Sequence, residues 1–98
     1  MSTPSRRGGD ERLNLIVIDA INRAIFEGGE LGIQVAAYLD GKLVIDCWGG
    51  MAKPDGTAVD GQTLFNVFSV TKAVAATAVH LQAEQGHLDY DAPIARYW

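Results

Sequence analysis

From Leu13 onward apolar residues recur every three or four positions: Leu13, Ile16, Val17, Ala20, Ile21, Ala24 and Ile25. That period puts them on one broad stripe of a helix. Asp10 precedes the run as a side-chain cap, and Glu11 suits the positive end of the helix dipole. Gly28-Gly29 stops it. The period then shortens to two. Ile33, Val35, Ala37 and Leu39 alternate with Gln34, Ala36 and Tyr38, and alternation resumes over Lys42–Trp48. The two runs are joined by Asp40-Gly41. A two-residue Asp-Gly link predicts a hairpin, because both turn residues must accept positive φ. Tyr38, on the first predicted strand, is expected to pack.

Gly49-Gly50 ends the second strand. Residues 51–62 carry Pro54, Asp55-Gly56 and Asp60-Gly61, and read as an exposed loop. Thr63–Val67 is expected to be a short strand or an extended approach. A second helix is predicted over 69–85, with Val70, Ala73, Val74, Thr77, Ala78 and Leu81 giving it a wide apolar surface. The alanines Ala73, Ala75, Ala76 and Ala78 make it slim and a good helix former, suited to a closely packed position. Gly86 caps it, with Leu88 able to fold back onto the last turn. Asp89–Trp98 reads as loop. Residues 1–9 read as a disordered tail, leaving 10–98 as the folded part.

Composition narrows the class. Ninety-eight residues make one small domain with a modest core. Hydrophobic residues at 48% and charged residues at 20% are ordinary for a globular chain. A net charge of −4 argues against a nucleic-acid partner. Arg6, Arg7 and Arg12 are expected to be solvated. No run approaches membrane-spanning length and residues 1–12 are too polar for a secretory leader, so a cytoplasmic location is the simplest expectation. Cys47 is the only cysteine, which leaves no internal disulfide. It falls in an apolar strand and reads as a small buried hydrophobe. His80 and His87 lack Asp or Cys at ligand spacing, so no metal and no cofactor are expected, and both histidines default to surface or packing roles. Neither Gly-Gly pair opens a helix in a phosphate-loop pattern.

Chemistry concentrates at Ser69 and Lys72, three residues apart at the start of the second predicted helix. Positions i and i+3 share a helix face, so hydroxyl and ammonium can meet. A serine hydroxyl is a poor nucleophile until a base takes its proton. Lysine serves as that base when burial lowers its pKa, and Phe68, Val70, Ala73 and Ala76 are expected to supply apolar surroundings. The helix N-terminus favours developing negative charge, and the Ser69 N–H is a ready oxyanion donor. Spacing alone is weak: a chain of this length holds roughly a third of a Ser-x-x-Lys match by accident. On spacing alone the pair is a capping serine and a surface lysine. Context shifts the weight, because Ser69 is the only serine beyond position 5 and opens an apolar helix. Asn66 and Thr71 flank the pair, with nothing requiring a role for either.

The stretch Thr63-Leu64-Phe65-Asn66-Val67-Phe68-Ser69-Val70-Thr71-Lys72 resembles the active-site segment of serine β-lactamase-like proteins. These include class C β-lactamases, DD-peptidases, family VIII carboxylesterases and related transacylases, the wider group carrying the Ser-x-x-Lys element. The order of helix, hairpin and loop before the serine is similar too. So are Gly86-His87-Leu88-Asp89 and Asp91-Ala92-Pro93-Ile94 after it, which resemble the family's Gly-x-Leu-x-Leu-Asp-x-Pro-Val pattern. The resemblance covers roughly residues 10–98. It implies an α/β (α+β) fold: an antiparallel sheet flanked by helices, with a helical domain and further strands outside this chain. It also implies that Ser69 is acylated and Lys72 takes its proton. The family's Tyr-x-Asn or Tyr-x-Ser element and its Thr-Gly strand have no counterpart here, since Tyr38, Tyr90 and Tyr97 stand in other contexts. The expected partner is therefore the C-terminal remainder of the same enzyme, and the 98 residues alone are expected to turn over little or nothing.

Three functions fit. The first is an esterase or acyltransferase acting on a small-molecule ester or thioester. The second is a β-lactamase or DD-peptidase acting on an amide. The third is a non-catalytic sensor that keeps the fold. The absence of an export signal favours the first. A fourth possibility, that residues 1–98 are a complete domain, predicts cooperative unfolding of this piece alone.

Overall fold

A computed structural model describes residues 5–98 and divides the chain after Leu64 into two compact units. The first unit holds a three-stranded antiparallel sheet and one helix. Its elements are β1 (Ser5–Gly9), α1 (Glu11–Phe26), β2 (Gly32–Leu39) and β3 (Lys42–Gly50). The strand order is β1-β3-β2, so β3 is central, and α1 packs chiefly on β3.

Helix α1 starts where expected. Asp10 is extended, and its Oδ1 accepts the Leu13 N–H at 3.0 Å. Glu11 lies in the first turn and pairs with Arg6 at 2.7 Å, while Arg23 in the last turn pairs with Asp19. The chain leaves the helix through Gly28 and through Gly29, whose φ is +77°.

The buried face of α1 is rotated from the predicted stripe. Asn14 and Ile21 are buried and Val17, Ile18, Ala24 and Ile25 are half-buried, whereas Leu13, Ile16 and Ala20 are exposed. The reason is Asn14. Its Nδ2 donates to the Gly8 carbonyl at 2.6 Å and its Oδ1 accepts the Asp46 N–H at 3.0 Å. Gly8 and Asp46 face each other across β1 and β3, next to a register shift between Arg6 and Gly8. One side-chain amide thus bridges two backbone groups of neighbouring strands, and turns α1 to bring it there.

Strand β1 corrects the expectation of a disordered tail for residues 5–9; residues 1–4 lie outside the described residues. Its glycines and arginines have little strand preference of their own. Pairing with β3 supplies the order, reinforced by Arg7 Nε donating to the nearly buried Asp46 carboxylate at 3.2 Å.

The hairpin forms as predicted. Asp40 at φ +50° and Gly41 at φ +73° make the turn, and β2 pairs with β3 from Leu39–Lys42 back to Gly32–Gly50. Along β2 the alternation is visible in burial: Ile33, Val35 and Ala37 are half-buried and Gln34, Ala36 and Tyr38 exposed. Tyr38 does not pack. The register slips between Ala37 and Tyr38, and the residue stays 69% exposed. Cys47 is fully buried, and burial, then the neighbouring Asp46 charge, pushes its thiol pKa up.

Residues 51–62 are mostly exposed but internally bonded. Met51 and Ala58 form a bridge, and the Val59 N–H returns to the Gly50 carbonyl at 3.0 Å, carrying the Val59 side chain into the core. Asp60 Oδ1 accepts from the Gln62 N–H and the Thr63 hydroxyl, which holds its carboxyl below the usual range. Gln34 Nε2 donates to the carbonyls of Asp60 and Thr63, fixing the end of the loop to β2.

The second unit, residues 65–98, is built on α2 (Thr71–Glu84), preceded by a 3-10 turn at Phe68–Val70 and followed by another at Ile94–Arg96. No strand forms over Thr63–Val67. Helix α2 ends in a complete double cap: the Gly86 N–H donates to Ala83 and the His87 N–H to Gln82, with Gly86 at φ +78°. Leu88 is half-buried behind it. The Asp89 N–H donates to the Tyr97 hydroxyl at 2.9 Å, drawing the tail back across the loop. No described helix is long and apolar enough to cross a membrane.

Candidate active site

Ser69 occupies the middle of the 3-10 turn and Lys72 the second position of α2. Lys72 Nζ donates to Ser69 Oγ at 2.8 Å. The two residues that the spacing puts on one face are therefore in direct contact.

The backbone around Ser69 departs from a plain extended-to-helix junction. Val67 sits at φ −100°, ψ 4°, in the bridge region, and Phe68 at φ +46°. A bulky non-glycine residue in the left-handed region costs about 1–3 kcal/mol, and such strain clusters at functional sites. Asn66 Oδ1 accepts the Phe68 N–H at 3.1 Å, and the Val67 carbonyl accepts the Val70 N–H at 3.1 Å. The amides on either side of Ser69 are thus engaged, while the Ser69 N–H has no acceptor among the described residues. An unengaged amide next to the hydroxyl meets the first requirement of an oxyanion donor. Sequence reasoning missed Phe68, because nothing in a Phe-Ser pair announces positive φ. The available signal was Asn66, two residues earlier, a residue type that bonds its own backbone two positions on.

The apolar enclosure expected around Lys72 is not formed by residues 65–98. Phe68 is 79% exposed, Val70 64%, and Lys72, Ala73 and Ala76 are also exposed. Every residue of α2 except Ala83 is exposed, so the alanines that suit close packing have no described neighbour over them. A groove of about 860 Å³ lies against the C-terminal half of α2, lined by His80, Leu81, His87, Tyr90 and Tyr97 among others. It contains neither Ser69 nor Lys72. Within it His80 Nδ1 and the Tyr90 hydroxyl are hydrogen-bonded and the rings meet edge-on, and His87 Nδ1 lies 3.2 Å from Gln82 Oε1. No group of three His, Cys, Asp or Glu side chains among the described residues is arranged to hold a metal ion.

An antiparallel hairpin, a braced loop and a helix opened by a serine in contact with a lysine together match a known class. The chain belongs to the beta-lactamase family, whose model matches residues 17–98. It is 43% identical over 76 residues to the esterase/beta-lactamase LipL of Mycobacterium tuberculosis, an alignment covering 74% of this chain and 16% of that protein. It is also similar to the crystal structure of a family VIII carboxylesterase, with a TM-score of 0.82 and 34% identity over 96% of this chain and 26% of that one. The fold is thus the α/β, antiparallel-sheet fold of that family. The chain spans about a sixth of the length of the first relative and about a quarter of the second.

Proposed function

We propose that Ser69 is the nucleophile, and Lys72 its base, in a serine hydrolase that works through an acyl-enzyme, with a small-molecule carboxylic ester as substrate. The observation carrying this reading is the 2.8 Å contact between Lys72 Nζ and Ser69 Oγ. That separation suits proton transfer whichever atom holds the proton. Ser69 Oγ attacks the ester carbonyl as Lys72 accepts its proton. The tetrahedral oxyanion meets the Ser69 N–H. The intermediate collapses, and Lys72 returns the proton to the departing alcohol. Water then cleaves the acyl-serine ester to release the acid. Because the similar proteins are several times longer, the reading assigns the remaining proton-transfer group, the second oxyanion donor and the cover over Lys72 to polypeptide outside residues 1–98.

Esters are favoured because one similar protein is a carboxylesterase and the other is described as an esterase as well as a beta-lactamase. The second description keeps a β-lactam amide as the alternative. A fluorophosphonate probe tests the mechanism on the full-length polypeptide. The Ser69 peptide is expected to gain the probe's mass, Ser69→Ala to gain none, and Lys72→Ala to react at least about a hundredfold more slowly. A folded wild-type protein that stays unlabelled removes the catalytic reading and leaves a binding module. Comparing hydrolysis of a p-nitrophenyl ester with a chromogenic cephalosporin then separates esterase from β-lactamase.

A further inference from the structure

Phe68 holds a conformation that a phenylalanine adopts only under restraint, immediately before the serine. A left-handed residue there opens the 3-10 turn that carries Ser69. It sets the direction from which Ser69 Oγ meets Lys72 Nζ, and it leaves the Ser69 N–H as the unengaged amide between two engaged ones. The side-chain hydrogen bond that holds the Phe68 amide comes from Asn66 Oδ1 at 3.1 Å. Phe68 itself is largely exposed, so packing among residues 65–98 does not impose its φ. Local hydrogen bonds bracket it, from the Phe68 N–H to Asn66 Oδ1 and from the Val70 N–H to the Val67 carbonyl.

We propose that Asn66 is a positioning residue: its side-chain carbonyl, by capturing the Phe68 N–H, holds Phe68 left-handed and so sets the Ser69 hydroxyl and amide for attack. The proposal rests on the reading of Ser69 as the nucleophile. Asn66 touches no reacting atom. Its effect falls on the rate of acylation and not on substrate affinity, because the group it orders is the nucleophile's own backbone.

The test is a cycle in the full-length polypeptide, read by the second-order rate of fluorophosphonate labelling at Ser69 and by kcat and KM for a p-nitrophenyl ester. Asn66→Ala is expected to slow labelling roughly 10–100-fold, lowering kcat with little change in KM. Asn66→Asp, whose carboxylate accepts the same N–H, restores labelling to within about threefold of wild type. In a Phe68→Gly background the Asn66→Ala penalty shrinks to less than about threefold, because glycine takes positive φ without side-chain strain. A purely structural role predicts no rescue by Asp, and penalties at the two sites that multiply. Wild-type-like labelling of Asn66→Ala, or that independence, overturns the proposal while leaving Ser69 as nucleophile. An unlabelled wild type overturns the reading of Ser69 itself. Should Asn66→Ala fail to fold, Asn66→Gln takes its place, its amide one methylene too far to close the same turn. Slowed labelling of that variant supports the proposal, and an unchanged rate overturns it.

Discussion

Asn14 is fully buried on α1 with both ends of its amide engaged, one by the Gly8 carbonyl and one by the Asp46 N–H. Replacing it with leucine keeps the branching and the number of side-chain heavy atoms and removes both partners. The Asp46 N–H is buried and the Gly8 carbonyl partly so, and a buried backbone group left without its hydrogen bond costs about 1–3 kcal/mol. Asn14→Leu is therefore expected to destabilise the full-length protein by roughly 2–4 kcal/mol in urea unfolding. A loss below 1 kcal/mol would mean that water or a backbone shift takes over both bonds. Period counting could not find this residue, because it scores an asparagine as a solvent position. The need for it arises only when β1 and β3 meet across a register shift, a contact between residues 8 and 46. Ser69 and Lys72 show the opposite case. Their contact is local, so three-residue spacing allows it and the surrounding apolar residues favour it, whereas the left-handed Phe68 between them and Asn66 left no mark on its own residue type.

At the scale of elements, legibility follows the range of the forces involved. The Asp40-Gly41 hairpin and both helices were read correctly in kind because turn chemistry, capping and periodicity act within a few residues. Strand β1 was not, since its order comes from pairing some forty positions away. The same distinction separates two glycines of the hairpin. Gly41 has φ +73°, but a methyl group there would meet nothing within 4 Å. Gly50 has φ +86°, and a methyl group there would fall 2.1 Å from the Leu31 carbonyl oxygen, against rigid backbone. Gly41→Ala bears only the conformational cost, about 1–2 kcal/mol. Gly50→Ala bears that cost and must also part β3 from the chain entering β2, so roughly 3 kcal/mol or more is expected. Thermal or urea unfolding of the two full-length variants should show that ordering. Equal losses would mean that the Leu31 segment yields freely. Gly50 ends β3, and the Val59 N–H returns to its carbonyl, so its substitution also bears on the braced loop that leads to the serine segment.

Taken whole, the 98 residues leave much apolar surface in water. Leu64 is 96% exposed, Phe68 79% and Ile94 80%, and the helix that carries Lys72 is exposed along nearly its full length. Among the described residues β1 and β2 each pair on one side only, and β2 presents eight residues of open edge. An open edge with apolar surface beside it pairs with other chains unless something covers it. Five alanines and three valines in and beside α2 suit a crowded environment, and residues 65–98 do not provide it. Expressed alone, residues 1–98 are accordingly expected to self-associate at micromolar concentration and to bind a hydrophobic dye. They are not expected to unfold in one sharp transition, whereas the full-length polypeptide should do so without aggregating. Sedimentation velocity and dye fluorescence on the two proteins decide the matter. A monodisperse 10.5 kDa species with a steep, reversible urea transition would show that this piece is a domain in its own right. The exposed face of α2 would then be a finished surface, and the assignment of a cover for Lys72 to polypeptide outside residues 1–98 would lose its main physical support.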